Sequence, residues 1–204
     1  MTDPATDPAA RFQAVIAEID GMNAGDPRRL MNGGKSRPRE VVYAEQMSEC
    51  LAQLYPAASE VLRIAARAQH ICRWKISRAD YPLGRDGYNL WRAACREHHA
   101  GLVSAIMRRH CYADGEIAQV AKIIRKEELK RDHESQALEN VAAVVFARHY
   151  LEEFVATHQG YDEDKLVGIL RKTMRKMDAV GHAAVRAVTL PPGLQRAMEI
   201  AMKP

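Results

Sequence analysis

A chain of 204 residues that is 47% apolar and 27% charged can bury one sizeable core and is too apolar for general disorder. Its 30 Lys and Arg against 26 Asp and Glu leave a net charge of +4, which admits a phosphate-containing small molecule or a nucleic acid as partner and demands neither. No apolar run approaches the ~20 residues that span a bilayer, so no membrane partner is expected, and Met1 to Arg11 reads as neither a signal nor a transit peptide.

Residues 1–10 read as a disordered tail and 11–204 as one helical domain. Phe12, Val15, Ile16 and Ile19 recur at helical spacing until Asp20, Asn23 and Gly25-Asp26-Pro27 stop the pattern. Arg28 to Pro38, charged and carrying Gly33-Gly34, reads as a loop. A second helix spans Arg39 to Tyr55, with Val42, Met47, Leu51 and Leu54 inward, and Pro56 ends it. Ser59 caps a third. From Val61 to Trp74 that helix is apolar almost all round, as a helix in the middle of a bundle must be.

Lys75 to Gly87 is a long charged loop with Pro82 and Gly84. Helices follow at about Tyr88 to His110, Glu116 to Lys130, Ser135 to His158 and Glu163 to Val180, and a short last one at Leu194 to Met202. Alternating β-branched runs are missing. The fold class is therefore all-α, a single-domain bundle of seven to eight helices. Cys50, Cys72, Cys95 and Cys111 lie in or beside apolar patterns with no CxxC pair. Buried reduced thiols and a cytoplasmic location are expected, and a cysteine zinc site is not.

The polar residues inside apolar stretches carry the functional expectation. Arg67, Gln69, His70 and Arg73 sit on the most apolar helix, and burying each without a partner costs about 1–3 kcal/mol. They should therefore face a shared polar space. His98 lies on its helix's apolar stripe with His99 beside it, Glu139 shares a face with Ala143 and Phe146, and Glu45 neighbours Val42 and Met47. Imidazoles and carboxylates meeting there would suit a divalent metal, and arginines would clamp phosphate oxygens.

The segments Ile19-Asp20-x-x-Asn23-Ala24-x-Asp26-Pro27, Ala66 to Trp74, Tyr88-x-x-Trp91-Arg92 and Lys172-Thr173-x-x-Lys176-Met177 resemble a family catalogued as domain of unknown function 4202, from Phe12 to about Met198. That resemblance implies no activity. More remotely, Leu62 to Arg73 is similar to the central helix of HD-superfamily phosphohydrolases. Gln69 stands at the place of the motif His and His70 at that of the Asp. His99 to Met107 and Ile117 to Lys126 are similar to the next two helices. Leu138-Glu139-Asn140 falls where the distant acidic ligand belongs, and Tyr43 or Glu45 replaces the early His.

This likeness implies an HD-domain-like fold and a hydrolase of phosphoester, nucleotide or nucleic-acid substrates. His70, Gln69 and Glu139 would be catalytic, and Arg67, Arg73, Arg92, Lys126 and Asn23 would bind substrate. A divalent metal would sit on His70, His99, Glu45 and Glu139, with His99 chosen by the motif and His98 by the stripe. The alternative is a non-catalytic nucleotide- or RNA-binding module with a degenerate HD-type site. Lys172 to Asp178 is faintly similar to the KMSKS loop of class I synthetases, but no βαβ pattern accompanies it. Lys172 and Lys176 read as two basic residues one turn apart on a helix, facing solvent or lining an anion site.

Overall fold

A computed structural model describes residues 7–203. Its helices are α1 (Pro8–Asn23), α2 (Arg39–Leu54), α3 (Glu60–Ala68), α4 (Gly84–Arg109), α5 (Asp114–Arg125), α6 (His133–His149), α7 (Leu151–Thr157), α8 (Glu163–Met174), α9 (Ala179–Arg186) and α10 (Pro192–Ala201). The chain is mostly helical, as its periodicity dictates. Among the described residues there are ten α-helices rather than seven to eight.

The apolar stripes meet as expected. Val15 and Ile19 of α1, Met47 and Leu51 of α2, Val103 and Ile106 of α4, Val120 and Ile124 of α5, and Leu138 and Val141 of α6 are all buried around α3. Ile64, Ala65, Ala66 and Ala68 are wholly buried, and the small alanines let neighbouring helices approach α3 closely. Helix α1 starts at Pro8, three residues ahead of the expected boundary. The Asp7 carboxylate accepts the Ala9 N–H at 3.0 Å there, and proline suits the first helical turn. The rest of the expected tail, residues 1–6, lies outside the described residues.

Four local readings are corrected. The expected loop before α2 holds a β-hairpin, β1 (Arg29–Asn32) paired antiparallel with β2 (Lys35–Pro38). Gly33 and Gly34 both take positive φ, 57° and 76°, the backbone that joins strands through a two-residue turn. Helix α3 stops at Ala68, six residues short of Trp74. Cys72 adopts a left-handed conformation (φ 53°), and its N–H donates to the Asn23 Oδ1 at 3.0 Å. Gln69 and His70 therefore lie on a turn rather than on the helix, and Arg73 opens the 3-10 turn Arg73–Lys75 that follows.

The long sixth helix breaks at Tyr150 (φ −129°), giving α6 and α7. The seventh breaks after Met174, and Asp178 starts α9 afresh by accepting the Val180 and Gly181 N–H groups at 2.9 and 3.1 Å. Asn140 of α6 holds that second break. Its Nδ2 donates to the Tyr55 hydroxyl and to Asp178 Oδ1, both at 2.7 Å. Its Oδ1 accepts from Gln136 Nε2 at 3.1 Å and from the Asp178 N–H at 3.3 Å. A Cβ on Gly181 would stand 2.6 Å from that oxygen, so only glycine lets α9 come this close.

The loop before α4 is tied down by Arg78, which donates to the Tyr81 and Pro82 carbonyls at 2.9 Å each. At Gly87 a Cβ would stand 1.8 Å from the Pro82 carbonyl oxygen. The four cysteines are free. Cys50, Cys72 and Cys95 are buried, whereas Cys111 is exposed, contrary to expectation. It sits in a left-handed turn (φ 57°) just past the end of α4. Among the described residues no helix is long and apolar enough to cross a membrane.

Candidate functional site

A cavity of about 540 Å³ opens where α2, the turn after α3, α4, the end of α5, α6, α7 and α8 converge. That volume is typical of small-molecule sites. Each of its polar groups is placed by a local device. Glu40 and Tyr43 come from the first turns of α2. Pro38 gives that helix no side-chain cap, so the buried Asp26 supplies one, accepting the Glu40 N–H at 3.1 Å. Asp26 also holds Arg28 through its backbone N–H (2.9 Å) and guanidinium (3.1 Å), and Arg28 Nη2 then donates to Glu40 Oε1 at 2.6 Å.

Gln69, His70 and Arg73 come from the turn that Asn23 fixes. Lys126 ends α5 in the left-handed region (φ 60°), and its ammonium pairs with Glu139 of α6. Lys176 approaches the other carboxylate oxygen of Glu139 at 3.9 Å. Arg92 projects from α4 one turn beyond Tyr88, and their Nη1 and hydroxyl lie 3.5 Å apart.

The His70 ring is clamped on three sides. Tyr43 stacks on it, with centroids 4.0 Å apart and planes within 10°. Arg73 Nη1 donates to Nε2 at 2.9 Å. A guanidinium can only donate, so Nε2 carries the lone pair and Nδ1 the proton, and Nδ1 faces Glu40 Oε2 at 3.5 Å. Burial holds His70 well below the usual imidazole range, and the charges of Arg73, Lys126, Arg92 and Arg28 push the same way. It is a neutral imidazole at physiological pH. Burial raises the Glu40 carboxyl despite Arg28 and Arg73. Burial also works against the Glu139 anion, but Lys126, Lys176 and Arg92 outweigh it and bring Glu139 down to about 2. Desolvation lowers Lys126 against the pull of Glu139. The direct contact marks the two as an ion pair.

Six cations (Arg28, Arg39, Arg73, Arg92, Lys126 and Lys176) line the cavity against three carboxylates, Glu40, Glu139 and Glu153. Arg28 pairs with Glu40, Lys126 with Glu139, and Arg39 donates to both oxygens of Glu153 at 2.9 Å. Arg73 and Arg92 have no ion-pair partner among the described residues. Arg73 instead lies over the Trp91 ring, 4.6 Å from its centroid. Aromatic and apolar side chains, Phe146, Tyr150, Phe154 and Ile169, line the same cavity, and Arg39 lies over the Tyr150 ring, 5.3 Å from its centroid. A cationic floor beneath a ring-lined wall can attract an anion and cover an apolar body attached to it.

The structure brings together Gln69, His70, Arg73, Arg92, Lys126 and Glu139 among the residues singled out from sequence. Four others fall elsewhere. Glu45 is held by Arg37 in a bidentate pair at 2.7 Å and does not line the cavity. Arg67 grips Asp20 at 2.7 and 2.6 Å, facing a separate groove beside α1. Asn23 is buried outside the cavity lining, its Oδ1 accepting the Cys72 N–H and its Nδ2 without a hydrogen-bond partner among the described residues. His99, not His98, is the inward histidine (2% exposed), but it lies behind the cavity, its ring centroid 5.9 Å from that of His70.

Among the described residues no group of three His, Cys, Asp or Glu side chains converges. Both His70 nitrogens face protein groups, Glu139 is neutralised by Lys126, and Glu45 points away. Glu40, Arg28 and Arg39 join the site without having been singled out for it. Tyr43, which stands at the place of the early His, and Lys176, expected to face solvent or an anion site, also line the cavity, Lys176 from the turn after α8 rather than from a helix.

The chain belongs to the family described as Domain of unknown function (DUF4202), whose model matches residues 13–198. No curated protein and no solved structure matches it.

Proposed function

We propose that the inter-helix cavity binds a phosphate-bearing small molecule, with Arg73 and Arg92 as the principal phosphate contacts. One observation carries this reading. Among the described residues two arginines face an open cavity with no carboxylate in ion-pair contact, although three other cations in the same cavity are paired. An anion would supply the missing partner through charge-assisted bonds, and the planar guanidinium matches phosphate geometry. Lys176, only loosely engaged with Glu139, adds a third positive charge.

Calorimetric titration with pyrophosphate, AMP and ADP tests it. Binding that weakens at least about tenfold in Arg92→Ala, a change of about 1.4 kcal/mol, supports the reading. No heat and no thermal stabilisation with any of the three overturns it.

A second reading is hydrolysis of a phosphoester at the same place. It is favoured by the neutral His70 imidazole, a group able to accept a proton, at the cationic floor. The similarity of Leu62 to Arg73 to the HD-superfamily helix points the same way, with the metal of that superfamily given no role here. Turnover of p-nitrophenyl phosphate or ADP, lost in His70→Ala with binding retained, would support it.

A further inference from the structure

The bond between Arg73 and His70 has an odd composition. A guanidinium is the strongest available anion ligand in the cavity, yet here it donates to a neutral imidazole nitrogen at 2.9 Å. It has no ion-pair partner among the described residues, and its other support is the face of Trp91. On the far side of the ring, Glu40 has one oxygen engaged by Arg28 at 2.6 Å. The other oxygen is buried without a hydrogen-bond partner, aimed at His70 Nδ1 from 3.5 Å. The imidazole thus sits between an under-committed cation and an under-committed carboxylate, and Tyr43 prevents it from tipping out of line.

We propose that Arg73 is a ligand-operated cap. An anion entering the cavity takes the guanidinium away from His70 Nε2, and Glu40 holds the freed ring in the tautomer whose Nε2 accepts a proton. The inference rests on the anion reading given above and assigns a positioning role to Glu40. The physical reason is an exchange of partners: a bond from guanidinium to a phosphate oxygen is charge-assisted on both sides, whereas the bond to imidazole is assisted on one.

Once Nε2 is released, Nδ1–H and Glu40 Oε2 can close their 3.5 Å gap, giving Glu40 the partner it lacks and stabilising positive charge on the ring. The groups facing His70 are Glu40 and Tyr43 from α2, Arg28 from the segment before β1, Arg73 on its own turn, Arg92 and His99 from α4, and Lys126 at the end of α5. The nearby cations by themselves oppose protonation of the ring. A bound anion compensates Arg73 and Arg92 together, so ligand binding and proton affinity rise in step.

The test is nitrogen-detected NMR of the full-length protein with ¹⁵N-labelled histidine, titrated with inorganic pyrophosphate, with affinity measured in parallel by calorimetry. In the free protein His70 should show a protonated Nδ1 and a hydrogen-bonded Nε2. At saturating pyrophosphate the Nε2 resonance should move to the position of a nitrogen without a donor, and its titration midpoint should move up. In Arg73→Met the Nε2 resonance should already sit at the uncapped position and no longer respond to pyrophosphate.

In Glu40→Gln, compared at saturating pyrophosphate, the upward movement of the titration midpoint should shrink while the Nε2 resonance still moves to the uncapped position; a midpoint that rises as far as in the wild type would refute the role of Glu40. If pyrophosphate binds and Nε2 stays unchanged, the cap is refuted and the anion reading survives. If calorimetry detects no binding, both fall.

Discussion

Replacing Lys126 by methionine removes the ammonium that neutralises Glu139 while keeping an unbranched chain of similar length. In the wild-type fold Glu139 is 6% exposed, and its titration lies at about 2 against 4.5 for an ordinary glutamate. That difference corresponds to about 3 kcal/mol of preference for the ionised, folded state. The folded value lies below the unfolded one. The stabilisation is therefore complete above about pH 4.5 and disappears as the pH falls through about 2.

Lys176 at 3.9 Å and Arg92 share that effect, and burying the Lys126 ammonium works against it. Lys126→Met should then cost about 2–3 kcal/mol at neutral pH, because it leaves a buried carboxylate short of its main partner. Urea unfolding at about pH 7 and about pH 3 measures both quantities. The wild type should lose stability between the two conditions, and the variant should lose clearly less. Lys126→Met/Glu139→Leu should recover much of the deficit, because neither buried charge remains. A loss below about 1 kcal/mol at neutral pH, or an undiminished acid dependence in the single variant, would show that the pair is not the ionic contact described here.

Gly87→Ala should destabilise by about 2 kcal/mol or more, since its Cβ would stand 1.8 Å from the Pro82 carbonyl oxygen and the backbone must shift; thermal denaturation reads this directly. Asn23→Ala should cost about 1–3 kcal/mol in urea unfolding by orphaning the Cys72 N–H. It should also weaken pyrophosphate binding, because the turn carrying His70 and Arg73 loses its anchor. Glu45→Ala should change stability by under about 1 kcal/mol and leave pyrophosphate affinity untouched, because its bond to Arg37 is half exposed and outside the cavity; a strong binding defect would contradict that placement.

The helices were legible because burial imposes its own period. Val15 and Ile19, or Val120 and Ile124, must fall on one side whatever else the chain does. What sequence could not show was decided by contacts between distant residues. Helix α3 reads as continuing to Trp74 because Ile71 and Cys72 keep the apolar rhythm. It stops at Ala68 because Asn23, 49 residues before Cys72, captures the Cys72 N–H.

The same contact explains why Asn23 looked available for substrate and is not. Glu40 gave no sign of its place because its burial follows from the Asp26 and Arg28 scaffold. Arg67 met an aspartate on α1 that no local pattern announces. The hairpin is largely exposed, and its apolar Leu30 and Met31 are adjacent rather than alternating, so the period was silent and only Gly33-Gly34 marked it.

Asn140 has a consequence for the far wall of the cavity. A seam of hydrocarbon would let one helix slip past another by a turn with little loss, since any apolar group can fill the next apolar hollow. An amide with two donors and two acceptors already engaged has a single acceptable alignment. Gln136, its neighbour one turn back, grips the Lys176 carbonyl at 2.9 Å. The lysine that lines the cavity from this side is thus indexed to the body of the bundle by directional bonds, and its reach is set by a ratchet tooth rather than by grease.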